Sequence, residues 1–161
     1  MCVNVNGELM ELTPSIIINS TEEVFSSFLL QSITPGLPYC RAKTPEVGGI
    51  TGVIYFSGCA KGFAAIHLSR EVATVVTQDF LFEEELEITD DVIADIVCEL
   101  ANILAGRVKS YIDPPGSSLH ISLPELSREN DFVPGVLPDA KKITIPFHLD
   151  DGDFQVEVQL A

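Results

Sequence analysis

The segment from Asp90 to Ile112 constrains this chain most, because a single helix accounts for its whole apolar pattern. At about 100° per residue, Ile93, Ile96, Val97, Leu100, Ile103, Leu104 and Val108 fall on one broad stripe, the width expected of a helix lying on a core. Asp95, Glu99, Asn102 and Gly106 fall on the opposite side. A third stripe, Ala94, Cys98, Ala101 and Ala105, is small enough to admit another backbone, and a second helix is expected there. Residues three apart are neighbours on a helix surface, so the Glu99 carboxylate and the Asn102 amide project together. Gly106, one turn further on, leaves room beside them.

A chain of 161 residues, 46 % of them hydrophobic, suffices for one domain spanning 1–161 around one core. No apolar run approaches the roughly 18 residues needed to cross a bilayer, and the opening MCVNVNGELMEL has neither a positive start nor an apolar signal core. A cytoplasmic location is expected. The four cysteines, at 2, 40, 59 and 98, form no C-x-x-C pair and no Cys/His cluster of the zinc type. They read as reduced thiols. His67, His120 and His148 lie in separate strand-like segments and read as isolated polar residues.

The formal charge is −15, with nine Lys plus Arg, the reverse of the basic footprint that phosphate neutralisation demands. Nucleic acid and anionic membrane are therefore excluded as expected partners. The acidity serves either solubility or encounter with a protein that carries positive charge near its own site.

Thr13-Pro14 can start a first helix running to Leu30, with Ile17, Val24, Phe25 and Phe28 near one face. Pro and Gly in ITPGLPYC and AKTPEVGG mark turns around a short strand near Tyr39 to Lys43. Gly49 to Phe56 and Gly62 to Leu68 fit a hairpin. Ser69 caps a helix to about Phe80, and Glu83 to Glu87 reads as a solvated connection. Thr89 or Asp90 can cap the long helix, whose positive end Asp90 and Asp91 suit. Asp113-Pro114-Pro115-Gly116 stops it. Strands are expected at Leu119 to Leu123, Ile143 to Phe147 and Phe154 to Leu160, the last half-buried by its alternation. The stretch PELSRENDFVPGVLPDAKK between them reads as loop, with Asp131 to Val133 able to extend a strand. The fold class is α+β, an antiparallel sheet with long helices packed on one face, in two pseudo-repeated halves, each a helix followed by strands.

No phosphate-loop, dinucleotide-turn, zinc-protease or nucleophile-elbow motif is present. The nearest, GGITG at 48 to 52, lacks the lysine and the following helix, and reads as a turn into a strand. No Ser/His/Asp set has a fixed spacing. Glu99 and Asn102 remain, and by spacing alone such a pair is most often an ordinary solvated face.

The run from Gly49 to Glu125 resembles the CheX family of chemotaxis phosphatases, relatives of the CheC and FliY proteins. GITGVIYFSGCAKGFAAIHLSREVA is similar to the family's glycine-containing strand pair and following helix. ELANILAG at 99 to 106 is similar to its E-x-x-N helix signature, and HISLPELSREND to its strand, proline and loop. CheC-type members carry the signature on two helices; here the first helix offers only Glu22 and Glu23, with Phe25 and Ser26 three residues on, so no second site is expected. The chain departs from the family in its short IDPPGSS linker and in Arg107 directly after the signature.

The resemblance implies dephosphorylation of a phosphorylated CheY-like response regulator. Glu99 would pair with the regulator's active-site lysine, and the Asn102 amide would orient the attacking water. Asp95 and Gly106 would join Glu99 in contacting the partner. No cofactor of the chain's own is implied, because the receiver would supply Mg²⁺ together with the phosphoaspartate. A homodimer joined through the sheets is implied too. The alternative is a non-catalytic module of the same fold that grips a receiver without hastening hydrolysis.

Overall fold

The computed structural model describes residues 7, 11–39, 49–82, 87–113, 118–128 and 140–161. Thr13 is extended and Pro14 takes the first helical position of α1 (Pro14–Val24), where the missing N–H costs nothing. A π-helical extension, Phe25–Leu29, continues it and closes on Leu30 in the left-handed conformation. Then follow β1 (Thr34–Pro35), β2 (Ile50–Gly58), β3 (Gly62–Leu68), α2 (Arg70–Leu81), α3 (Asp90–Ile112), β4 (Leu119–Ile121), β5 (Glu125–Arg128), β6 (Lys141–Leu149) and β7 (Gly152–Leu160). The two later helices are capped as the sequence predicts. Ser69 accepts from the Val72 N–H at 3.2 Å and Thr89 from the Val92 N–H at 3.3 Å.

The strands form one antiparallel sheet in the order β1-β6-β7-β3-β2-β4, with β5 also pairing β2. The β2–β3 and β6–β7 hairpins meet along β3 and β7, so each half of the chain contributes a helix and then a hairpin. One row of the sheet runs Ile145, Val156, Ile66, Gly52 on the face covered by helices. Ile54, Leu68 and Val158 join that same core with Val97, Leu100 and Leu104 of α3. Each buried aliphatic side chain contributes about 1.5–3 kcal/mol. Phe154 ties the first helix to the sheet, stacked on Phe25 at 4.7 Å and on Phe147 at 5.2 Å between ring centroids.

The structure corrects several expectations. One member of the small-residue stripe of α3, Ala101, meets a strand where a helix was expected. A Cβ added at Gly52 of β2 would lie 2.9 Å from the Val97 carbonyl oxygen and 3.0 Å from the Ala101 Cβ. Small side chains permit close approach by any backbone, and here the backbone is β2. The first helix contacts α3 elsewhere, through Glu23, which accepts from the Tyr111 hydroxyl and lies 3.8 Å from Arg107. Glu125–Arg128, expected as loop, pairs with β2, because four half-polar residues at a sheet edge carry little periodic signal. β1 was not expected, and of the predicted strand near Tyr39 only a Tyr39–Thr144 bridge is described; 40–48 lie outside the described residues. So do 83–86 of the acidic connection, 114–117 of the helix stop, and Asp131 to Val133.

β7 is covered on both faces, since Glu157 and Gln159 are buried along with Phe154 and Val156. Alternation marks the apolar face of a strand without saying what happens to the polar one. Here Glu157 accepts from His67 Nε2 at 2.9 Å, Lys142 Nζ lies 2.8 Å from its other oxygen outside hydrogen-bond angles, and Thr51 Oγ1 is 2.8 Å from His67 Nδ1. The thiols also differ from expectation. Cys98 is free, whereas Cys59 is disulfide-bonded. Such pairing depends on proximity that sequence spacing does not encode.

Candidate functional site

α3 is held at both ends and along one side. Thr89 caps its start, Asp90 and Asp91 occupy its first turn and Lys109 its last, each favourable toward the helix dipole. At the far end the buried Asp113 accepts from the Leu119 N–H at 3.0 Å, joining the helix to β4. Ile93, Ile96, Val97, Leu100, Ala101, Leu104, Ala105, Val108 and Ile112 are buried. At 100° per residue the middle of that buried arc points directly away from Asp95, Glu99, Asn102 and Gly106. The helical phase read from the sequence is therefore the phase observed.

Glu99 and Asp95 are exposed, and Asn102 and Gly106 partly so. A Cβ at Gly106 would meet nothing within 4 Å, so the surface beside Asn102 is open. Within the described residues no hydrogen bond or ion pair ties down the Glu99 or Asn102 side chain. Both present their full polar capacity outward: two carboxylate oxygens as acceptors, and an amide able to donate and accept. The backbone beneath them is fixed by a packed core, the arrangement that holds a polar pair in place for an incoming partner.

The chemistry available on this face is limited. Burial, followed by the neighbouring Asp95 carboxylate, pushes the Cys98 thiol up, which keeps it protonated and a poor nucleophile at neutral pH. His67 is buried on the opposite side of the sheet, while His120 and His148 are exposed on β4 and β6; the fold does not bring the three together. Among the described residues no group of three or more His, Cys, Asp or Glu side chains could hold a metal. What the face can do is position: accept a cation at Glu99 and orient a small polar molecule at Asn102.

The first helix offers no equivalent. Glu23, which has Ser26 three residues on, is occupied by Tyr111 and Arg107 of α3, and the Ser26 hydroxyl turns back to the Glu23 carbonyl at 3.3 Å. The role of Arg107 was not legible in the sequence. It follows the signature, yet its described partner is on α1, which makes it part of the contact between the two helices. The contact of Gly52 with the turn beneath the pair was also missed, although the GGITG run had drawn attention to that glycine as a turn.

No helix is long and apolar enough to cross a membrane among the described residues. The family described as chemotaxis phosphatase CheX matches residues 50–148, more than half of the chain and inclusive of the whole of α3. None of the curated proteins matches. Among solved structures, the chemotaxis protein CheX from Desulfovibrio desulfuricans is similar with a TM-score of 0.79 at 20 % identity, over 91 % of this chain and 97 % of that one. A CheX-CheY-BeF3-Mg²⁺ complex from Borrelia burgdorferi is similar at 0.74 and 22 %, over 91 % and 96 %. FliY from Thermotoga maritima is more distant, at 0.58 and 16 %, over 92 % and 91 %. These likenesses extend the α+β fold across nearly the full chain, and with the match over β2 to β6 they make this chain a member of the CheX family.

Proposed function

We propose that this chain is a phosphatase for the phosphoaspartate of a CheY-like response regulator, with Glu99 and Asn102 as its working residues. The observation that carries the proposal is the pair itself: two unengaged polar side chains, one turn apart, on the outward face of a rigidly packed helix in a chain of the CheX family. A CheX from Borrelia burgdorferi forms a complex with CheY, which supports a receiver domain as the partner here.

Hydrolysis of a phosphoaspartate transfers the phosphoryl group to water. The new P–O bond forms from the water oxygen, the aspartyl P–O bond breaks, and free carboxylate and inorganic phosphate remain. Such a reaction needs little covalent chemistry from the protein, since most of the barrier is lowered by positioning and charge stabilisation. The Asn102 amide holds the attacking water in line with the phosphorus, as the glutamine of a GTPase does. Glu99 engages the receiver's lysine and sets the register of docking. Asp95 and Gly106 lie against the receiver on either side, one contributing charge and the other clearance. The receiver supplies Mg²⁺ along with the phosphoaspartate, and this chain supplies no metal ligand to the reaction. The working site therefore exists only in the complex.

The chain works as a homodimer in this reading, a point the family resemblance supplies; light scattering of the purified chain tests it. The cytoplasm is the proposed location, where receivers are found, and the Cys59 disulfide is the feature that runs against a reducing compartment. Release of inorganic phosphate from a phosphorylated receiver tests the function. Acceleration by the wild type that is lost in Asn102→Ala supports it. Association with no change in phosphoaspartate lifetime would replace it with the binding-module reading.

A further inference from the structure

Gly52 lies in β2, in the row of the sheet that faces the helices, between Ile66 of β3 and Leu126 of β5. Its φ is not in the left-handed region, so nothing about the backbone there demands glycine. Space does. A Cβ at this position would lie 2.9 Å from the Val97 carbonyl oxygen, 3.0 Å from the Ala101 Cβ and 3.2 Å from the Val97 Cγ1. Two of the three contacts cannot be relieved by turning a side chain, because one is α3 backbone and the other a Cβ fixed to it. Ordinary carbon contacts need about 3.5 Å, so a methyl group here forces α3 and β2 apart by roughly half an ångström.

The turn that touches Gly52 runs from Val97 to Ala101, and Glu99 and Asn102 project from the opposite side of that same stretch of helix. The pair cannot move independently of that stretch, because both side chains spring from it, and α3 is itself tied to β4 at its end by Asp113. We infer that Gly52 is a positioning residue: its missing side chain sets how far α3, and with it the Glu99–Asn102 pair, stands above the sheet. The inference rests on the phosphatase reading and deepens it. A water held by an amide must lie in line with the phosphorus, and misplacement by about 1 Å can cost on the order of a hundredfold.

The test compares four proteins by receiver dephosphorylation, with turnover at saturating phosphorylated receiver separated from KM: wild type, Gly52→Ala, Ile145→Val and Asn102→Ala. Ile145 is buried in β6, away from α3, and its variant matches a modest loss of stability without moving the helix. Gly52→Ala is expected to lower kcat roughly tenfold with KM changed less than about threefold, while Ile145→Val keeps the wild-type kcat. Should Gly52→Ala fail to fold, Ala101→Ser presses on the same contact from the helix side and is expected to lower kcat in the same manner. Wild-type kcat in Gly52→Ala, or in Ala101→Ser where that variant is used, beside an inactive Asn102→Ala overturns the positioning role alone. An equal fall in Ile145→Val overturns it as well, as a mere stability effect. Retained activity in Asn102→Ala overturns the phosphatase mechanism and this inference with it.

Discussion

Glu157 is fully buried on the sheet face that α3 does not touch, and replacing it tests how the polar side of this sheet is held together. Burial alone would raise its pKa. The hydrogen bond from His67 and the ammonium of Lys142 beside it overcome that effect and leave the carboxyl below the ordinary glutamate value of 4.5. The sign follows directly: a depressed folded-state pKa contributes stability that is fully present above about 4.5, and is lost as pH falls through the lower folded value. Glu157→Gln keeps the shape and removes the charge, leaving Lys142, whose side chain is only 17 % exposed, without its counter-ion. Loss of one partner of a buried pair costs about 3–5 kcal/mol. Because Lys142 is not completely enclosed, the lower end, about 3 kcal/mol, is expected at pH 7. Urea denaturation of wild type and variant at pH 7, and again well below pH 4.5, provides the assay. The difference should be large at neutral pH and shrink in acid as the wild type loses the same contribution. An undiminished difference in acid, or equal stability at pH 7, would refute the account of an ionised Glu157 paired with Lys142. Activity per folded molecule should be unchanged, since Glu157 and the Asn102 face lie on opposite sides of the core.

Four further substitutions test the helix. Leu100→Ala removes a side chain with no exposed surface and should cost about 2–5 kcal/mol by denaturation, whereas Glu99→Ala and Asn102→Ala should each change stability by about 0.5 kcal/mol or less. Large destabilisation by either of the latter would mean that the pair is structural. Asp113→Ala leaves the Leu119 N–H without its acceptor and should cost about 1–3 kcal/mol, with faster amide exchange at Leu119; unchanged exchange there would show that the cap does not hold β4.

α3 was legible to the residue because many turns of helix repeat one phase, so its buried and outward faces could be assigned from apolar spacing alone. The β2–β3 hairpin was legible for a related reason, two β-branched runs about a glycine-containing turn. β1 and β5 escaped because two and four residues at a sheet edge are too short to carry a period. The buried state of Glu157 escaped because its partners lie far apart in sequence, at His67 and Lys142, and only the pairing of β3, β7 and β6 brings them together. The candidate pair itself was visible, yet spacing could not separate it from an ordinary solvated face. Its distinction came from the resemblance of ELANILAG and the surrounding segments. The contact at Gly52 was hidden for another reason. Alanines mark where a backbone can come close without naming which one does, and the strand that fills the place precedes the helix by some forty residues of chain.

The central claim is that Asn102 positions water against a receiver's phosphoaspartate. The most direct measurement is the decay of a phosphorylated receiver domain from the same cell, followed alone, with this protein, and with its Asn102→Ala variant. The account predicts faster decay with the wild type and decay at the receiver's own rate with the variant, even at concentrations where the variant still binds. Acceleration that survives Asn102→Ala would contradict it.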